Sequence, residues 1–115
     1  MKFVHTTIST EKYDESVEFY REVVGLRTVH ELPNKQITFL SDAEGDTRIE
    51  IIRGCPPAFS GQGISIGFGH PDPVALREEL IAKGFEASDF MRPNEMTVFF
   101  YVKDPNGLWV QFINM

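Results

Sequence analysis

The segment "DPNGLWVQFIN", Asp104 to Asn114, runs four turn residues into a strand whose apolar alternation is interrupted by one polar side chain, Gln111. Its amide has three readings: a metal ligand, the remnant of one, or a polar group lining a pocket. Three more residues fall into the same class. Alternation sets His5 and Thr7 opposite Val4 and Ile8 in "KFVHTTIS", and Glu50 opposite Ile49 and Ile51 in "TRIEIIR". It sets Ser65, Gly67 and Gly69 opposite Ile64, Ile66 and Phe68 in "ISIGFG", and Gln111 opposite Val110 and Phe112. If the apolar rows cover helices, His5, Glu50, Ser65 and Gln111 share the helix-free side, where glycines leave room for a ligand or another backbone. A wetted polar face is also ordinary for a sheet. Alternation alone leaves both readings open.

The elements that would position these residues occur twice. "TEKYDESVEFYREVVG" reads as a helix, with Thr10 as a possible N-cap, Tyr13, Val17, Tyr20 and Val24 at helical spacing, and Gly25 as its stop. Strands "LRTVHE", "QITFLS" and "TRIEIIR" follow, separated by the turn segments "LPNK" and "DAEGD". "GCPPAFSGQG" is then a linker. The order repeats: strand "ISIGFG", helix "PDPVALREELIAKG" with Asp72 as cap, Pro73 at N1 and Gly84 as stop, then strands "FEASDF", "MTVFFYV" and "LWVQFIN". Each half reads β-α-β-β-β and ends in an Asp-x-x-Gly hairpin. The offset is 60 from His5 to Ser65 and 61 from Glu50 to Gln111, so the halves are in register. The expected architecture is α+β: two βαβββ repeats (1–53 and 64–115, linker 54–63) in one domain, forming a curved mixed sheet with outer helices.

Composition narrows the function classes. The chain has 115 residues, 42% hydrophobic with ten Phe, enough for an ordered core. A net charge of −6 argues against nucleic acid or an anionic membrane as partner. "MKFVHTTIST" lacks the apolar stretch of a signal peptide, and no apolar run reaches membrane-spanning length. The single Cys55 has no internal disulfide partner, which fits a reducing compartment. A cytoplasmic protein is expected.

The segments "SVEFYREVVGLRTV", "TRIEII" and "YVKDPNGLWVQFIN" resemble the vicinal oxygen chelate superfamily, which includes glyoxalase I, extradiol dioxygenases and bleomycin resistance proteins. The likeness spans essentially the whole chain, and the paired βαβββ units are that family's fold. In its glyoxalase branch a divalent metal is held by one side chain from the first and last strand of each half. Carried onto this chain, the resemblance implies His5 and Glu50 as matching ligands, with Ser65 where His is expected and Gln111 where the final Glu is expected. A first-row divalent ion prefers imidazole and carboxylate, so a neutral hydroxyl and a neutral amide weaken the set. His5, Glu50 and Gln111 with waters would make an open site for nickel, zinc, manganese or iron; the other outcome is no metal.

Two principal functions stay open. One is a metal-dependent lyase or isomerase acting on vicinal oxygens, with Glu50 as the catalytic carboxylate. A glyoxalase I has a glutamate on each side, which counts against that activity, and dioxygenase chemistry would need a histidine at 65. The other is a binding or sequestering protein for a small aromatic or drug-like molecule, with a degenerate metal site. Phe39, Phe99, Tyr101 and Trp109 would wall its pocket, Ser65 would line it, and Arg48, two residues before Glu50, would anchor a carboxylate. A structural unit without ligand is a third reading. A homodimer is expected, because small curved sheets leave apolar edges uncovered. His70, His30 and Cys55 are expected in turn, surface and linker roles.

Overall fold

The computed structural model describes residues 1–42 and 47–115, so all of the first Asp-x-x-Gly turn after Asp42 lies outside the described residues. The chain divides into two compact units, Met1–Gly61 and Gln62–Met115. Unit 1 holds β1 (His5–Thr10), α1 (Tyr13–Glu18), β2 (Arg27–Leu32), β3 (Ile37–Ser41) and β4 (Arg48–Arg53). Unit 2 holds β5 (Ser65–His70), α2 (Pro73–Ala82), β6 (Met91–Asn94), β7 (Thr97–Lys103) and β8 (Trp109–Asn114). This is the α+β pattern of two βαβββ units. Each forms a four-stranded mixed sheet, ordered β1-β4-β3-β2 in one and β5-β8-β7-β6 in the other. The first and last strands pair in parallel, and the rest of each sheet is antiparallel.

Parallel neighbours need a long crossover, and each helix supplies part of it. In unit 1, α1 and the turn after it bury Tyr13, Ser16, Val17 and Tyr20, the 3.6-residue stripe expected of a helix lying on a sheet. Ile8, Leu40, Ile49 and Ile51 are buried too, and the Tyr13 hydroxyl hydrogen-bonds Thr38 on β3. In unit 2, Pro73, Leu76 and Leu80 of α2 are buried, as are Phe100, Val102, Val110 and Phe112. Each such side chain contributes about 1.5–3 kcal/mol relative to exposure.

The structure departs from the sequence reading in local places. Thr10 does not cap the helix: its hydroxyl accepts from the Lys12 N–H at 2.8 Å, making a turn ahead of it, and the N-cap is Lys12. After Glu18 the helix continues as a π-helix, Phe19–Val23, in which the Val24 N–H reaches back to the Phe19 carbonyl at 3.2 Å. Val4 and Ile64 precede the first paired residues of their strands and are exposed rather than part of the buried rows. "FEASDF" is not a strand. It touches β7 through one bridge, Ala87 to Val102, and the third strand of unit 2 is Met91–Asn94. That edge strand accommodates Pro93, and the Asn94 side chain turns the chain into β7 by accepting from the Met96 N–H at 2.9 Å. α2 keeps its expected ends: Asp72 accepts from the Ala75 N–H at 3.1 Å, Pro73 sits at N1, and Gly84 follows with φ +94°.

The hairpin before β8 is built on Asp104, which is 5% exposed. Its Oδ1 accepts from the N–H groups of Asn106 at 2.8 Å and Leu108 at 2.9 Å. Asp104→Ala removes the acceptor of both donors and is expected to cost about 2 kcal/mol, with Asp104→Asn, which keeps an oxygen, costing less. Urea unfolding at unchanged slope reads the difference; a wild-type midpoint in Asp104→Ala would show that the turn does not depend on this carboxylate.

Candidate functional site

In unit 1, β1 and β4 align His5 with Arg48 and Thr7 with Glu50, while β3 places Phe39 beside Glu50. These residues share the face turned away from α1. The Thr7 hydroxyl donates to Glu50 Oε1 at 2.6 Å, and His5 Nε2 lies 3.6 Å from the same oxygen. The Glu50 side chain is 15% exposed against 38% for His5, so the carboxylate sits deeper than the imidazole. The Phe39 ring lies 5.7 Å from His5, 6.0 Å from His30, and 6.0 Å from the Arg48 guanidinium carbon. Arg48 makes no ion pair among the described residues, and Phe39 is its aromatic neighbour. Chemically this face offers a carboxylate and an imidazole with one oxygen in common, next to an aromatic ring ringed by basic groups.

Thr7 was not singled out by sequence reasoning, although it sits two residues from His5 on the same face. Its role shows only when the parallel register brings β4 alongside.

In unit 2 the matching row is Gly67 beside Gln111, with Ser65 beside Trp109. A Cβ on Gly67 would stand 2.8 Å from Gln111 Oε1, and one on Gly69 would stand 2.7 Å from the Met115 sulfur. The two glycines therefore accommodate the chain's own Gln111 and Met115 side chains, and not only a ligand. Antiparallel pairing puts Tyr101 opposite Gln111 and Lys103 opposite Trp109. The Tyr101 ring packs edge-on at 5.8 Å from both Phe99 and Trp109.

A pocket of about 370 Å³ opens on this side of unit 2. Ile64, Met91, Tyr101 and Trp109 supply its apolar walls, and Gly63, Ser65 and Ser88 complete it. Ser88 is committed to the backbone: its hydroxyl donates to the Asp89 carbonyl at 3.0 Å and accepts from the Tyr101 N–H at 2.8 Å. The hydroxyls of Ser65 and Tyr101 have no protein hydrogen-bond partner among the described residues. Ser88 and Met91 escaped the sequence reading because "FEASDF" was read as the strand. The Asn94 turn was the available signal for moving it.

The remaining sequence candidates fall outside these clusters. His70 Nδ1 accepts from the Asp72 N–H at 2.9 Å, which makes it a turn residue. Cys55 is exposed. Among the described residues, no three of His, Cys, Asp and Glu gather in a cluster that would hold a metal ion. His5 and Glu50 give two strong donors, one short of the three protein ligands of a catalytic zinc site.

Known proteins bear on this chain in three ways. It is 28% identical over 123 residues to the uncharacterized protein YwbC of Bacillus subtilis, covering 94% of this chain and 93% of that one. It is 26% identical over 124 residues to a lactoylglutathione lyase of Haemophilus influenzae, covering 98% and 92%. It shares its fold with an integron cassette protein from the mobile metagenome of the Halifax Harbour sewage outfall, at a TM-score of 0.79 and 18% identity over 99% of this chain and 98% of the other. Residues 2–112 match the family profile itself, and the chain belongs to the Glyoxalase/Bleomycin resistance protein/Dioxygenase superfamily.

Proposed function

We propose that this chain is a small-molecule-binding member of its superfamily and that its ligand is a planar, largely apolar compound held in the pocket of unit 2. The pocket carries this reading. Rings and aliphatic groups form most of its walls, and the two hydroxyls without protein partners are available to orient a ligand. The polar residue in the last strand fits it as well. Gln111 is neutral, so it neither compensates a cation nor accepts a proton as a glutamate would.

A second reading is a metal-dependent lyase or isomerase, and one observation favours it: His5 Nε2 and Glu50 Oε1 are 3.6 Å apart. In it His5 and Glu50 would contribute ligands to nickel, zinc, manganese or iron, and the ion would polarise vicinal oxygens of a substrate. The similarity to a lactoylglutathione lyase is consistent with that chemistry. Against it stands the lack of a third strong donor beside His5 and Glu50 among the described residues. A homodimer in the cytoplasm belongs to either reading.

Trp109 is the single tryptophan of the chain and forms part of the pocket, so its emission reports directly on occupancy. Titration with neutral two-ring aromatics is expected to change that emission saturably. Tyr101→Ala should weaken binding about tenfold through loss of one ring wall. If no such compound produces a saturable change up to its solubility, the pocket is not a ligand site.

For the metal, calorimetric titration of the purified chain with nickel or zinc is expected to show no stoichiometric uptake at micromolar concentration. One ion per chain, lost in both His5→Ala and Glu50→Gln, would move the assignment to the lyase or isomerase.

A further inference from the structure

We infer that the ligand of the unit 2 pocket is a planar aromatic carboxylate, with its rings against Trp109 and Tyr101 and its charge at Lys103. This rests on the reading of that pocket as a small-molecule site. Lys103 ends β7 and pairs in register with Trp109 of β8, so both side chains share the face that carries Tyr101. Its Nζ lies 4.9 Å from the centroid of the Trp109 ring. Among the described residues Lys103 has no ion pair and no side-chain hydrogen bond.

The other cations near the pocket are directed elsewhere. Arg77 donates from Nε to the Ser88 carbonyl at 2.8 Å and lies 4.0 Å from Asp89. Arg92 follows the lining residue Met91 but lies over the Phe90 ring, 5.7 Å from its centroid. The Lys103 ammonium is one of several cations without an ion pair among the described residues. Here it is laid against an aromatic wall of the pocket.

A neutral ligand on Trp109 would compete with this ammonium for the ring face and offer it at most an uncharged acceptor. A carboxylate at the end of the ring system replaces that contact with a charge-assisted hydrogen bond, and its second oxygen can accept from the Ser65 or Tyr101 hydroxyl. The flexible four-carbon stem of lysine allows the head group to leave the ring and follow the anion. Lys103 would thus select among aromatic ligands by charge, while the walls select by shape.

The test compares 2-naphthoate with 2-naphthamide, which present the same rings with and without the charge, by calorimetry and by Trp109 emission. The carboxylate is expected to bind about fivefold more tightly at low salt, the scale of a partly exposed charge pair. The difference should shrink as salt is raised. Lys103→Met should bring the ratio of the two affinities to about one, and Lys103→Arg should preserve it. If both compounds bind the wild type equally, or the amide binds better, the charge preference is wrong while the pocket stands. If the ratio survives in Lys103→Met, Lys103 is not its source. If neither compound binds, the pocket reading falls and takes this inference with it.

Discussion

Everything at the two faces depends on the parallel pairing of the first and last strand in each unit. Thr7 meets Glu50, and Gly67 meets Gln111, across more than forty residues of intervening chain. A slip of one residue in either pair would send the polar row under the helix and the apolar row into water. Burial prevents that slip. Ile49 and Ile51, like Val110 and Phe112, are nearly inaccessible, so the register that hides them is also the register that presents Glu50 and Gln111. The chemistry of this protein is the complement of its core.

The same row carries different physics in the two units. In unit 1 a hydroxyl donates to one carboxylate oxygen and an imidazole lies 3.6 Å from the same atom. In unit 2 the strand has no side chain at Gly67, and the Gln111 amide lies close over the bare backbone. An amide there needs no counter-charge, which leaves the neighbouring surface to Tyr101, Trp109 and the pocket. One face concentrates ionisable groups around Phe39, and the other concentrates rings around a single ammonium.

Much of this was legible in the sequence because it rests on periods. The repeat, the strand faces and the α2 caps follow from alternation, helical spacing and turn chemistry, which are local. In unit 1 His5 and Glu50 share a pairing row, as in unit 2 do Ser65 and Gln111, in keeping with alternation. What was not legible depends on partners distant in sequence. The donation from Thr7 needs β4 beside β1, and the filling of the space over Gly69 needs the C-terminal Met115. The strand at Met91–Asn94 was hidden because it contains Pro93, which is tolerated only at a sheet edge, and "FEASDF" had the better strand composition. The π-helix after α1 was invisible because apolar spacing continues through it while one turn widens.

The pocket depends on the position of that strand. Met91 and Ser88 lie in the segment whose pairing was misread, and without them Tyr101 and Trp109 are only two aromatics on an open sheet face. Ser88 binds β7 through two backbone contacts, its N–H to the Tyr101 carbonyl and its hydroxyl from the Tyr101 N–H, so the lining segment and the aromatic wall are tied at the same residue. That tie orders the wall before any ligand arrives, which lowers the entropy that binding must pay. Lys103 has no such restraint, since its stem remains free and its contact with Trp109 is a surface cation–π contact worth about 0.5–1 kcal/mol. A hydrogen-bonded aromatic wall beside a lysine on a long stem is the division the proposed ligand would use: shape set by the wall, charge supplied by the stem.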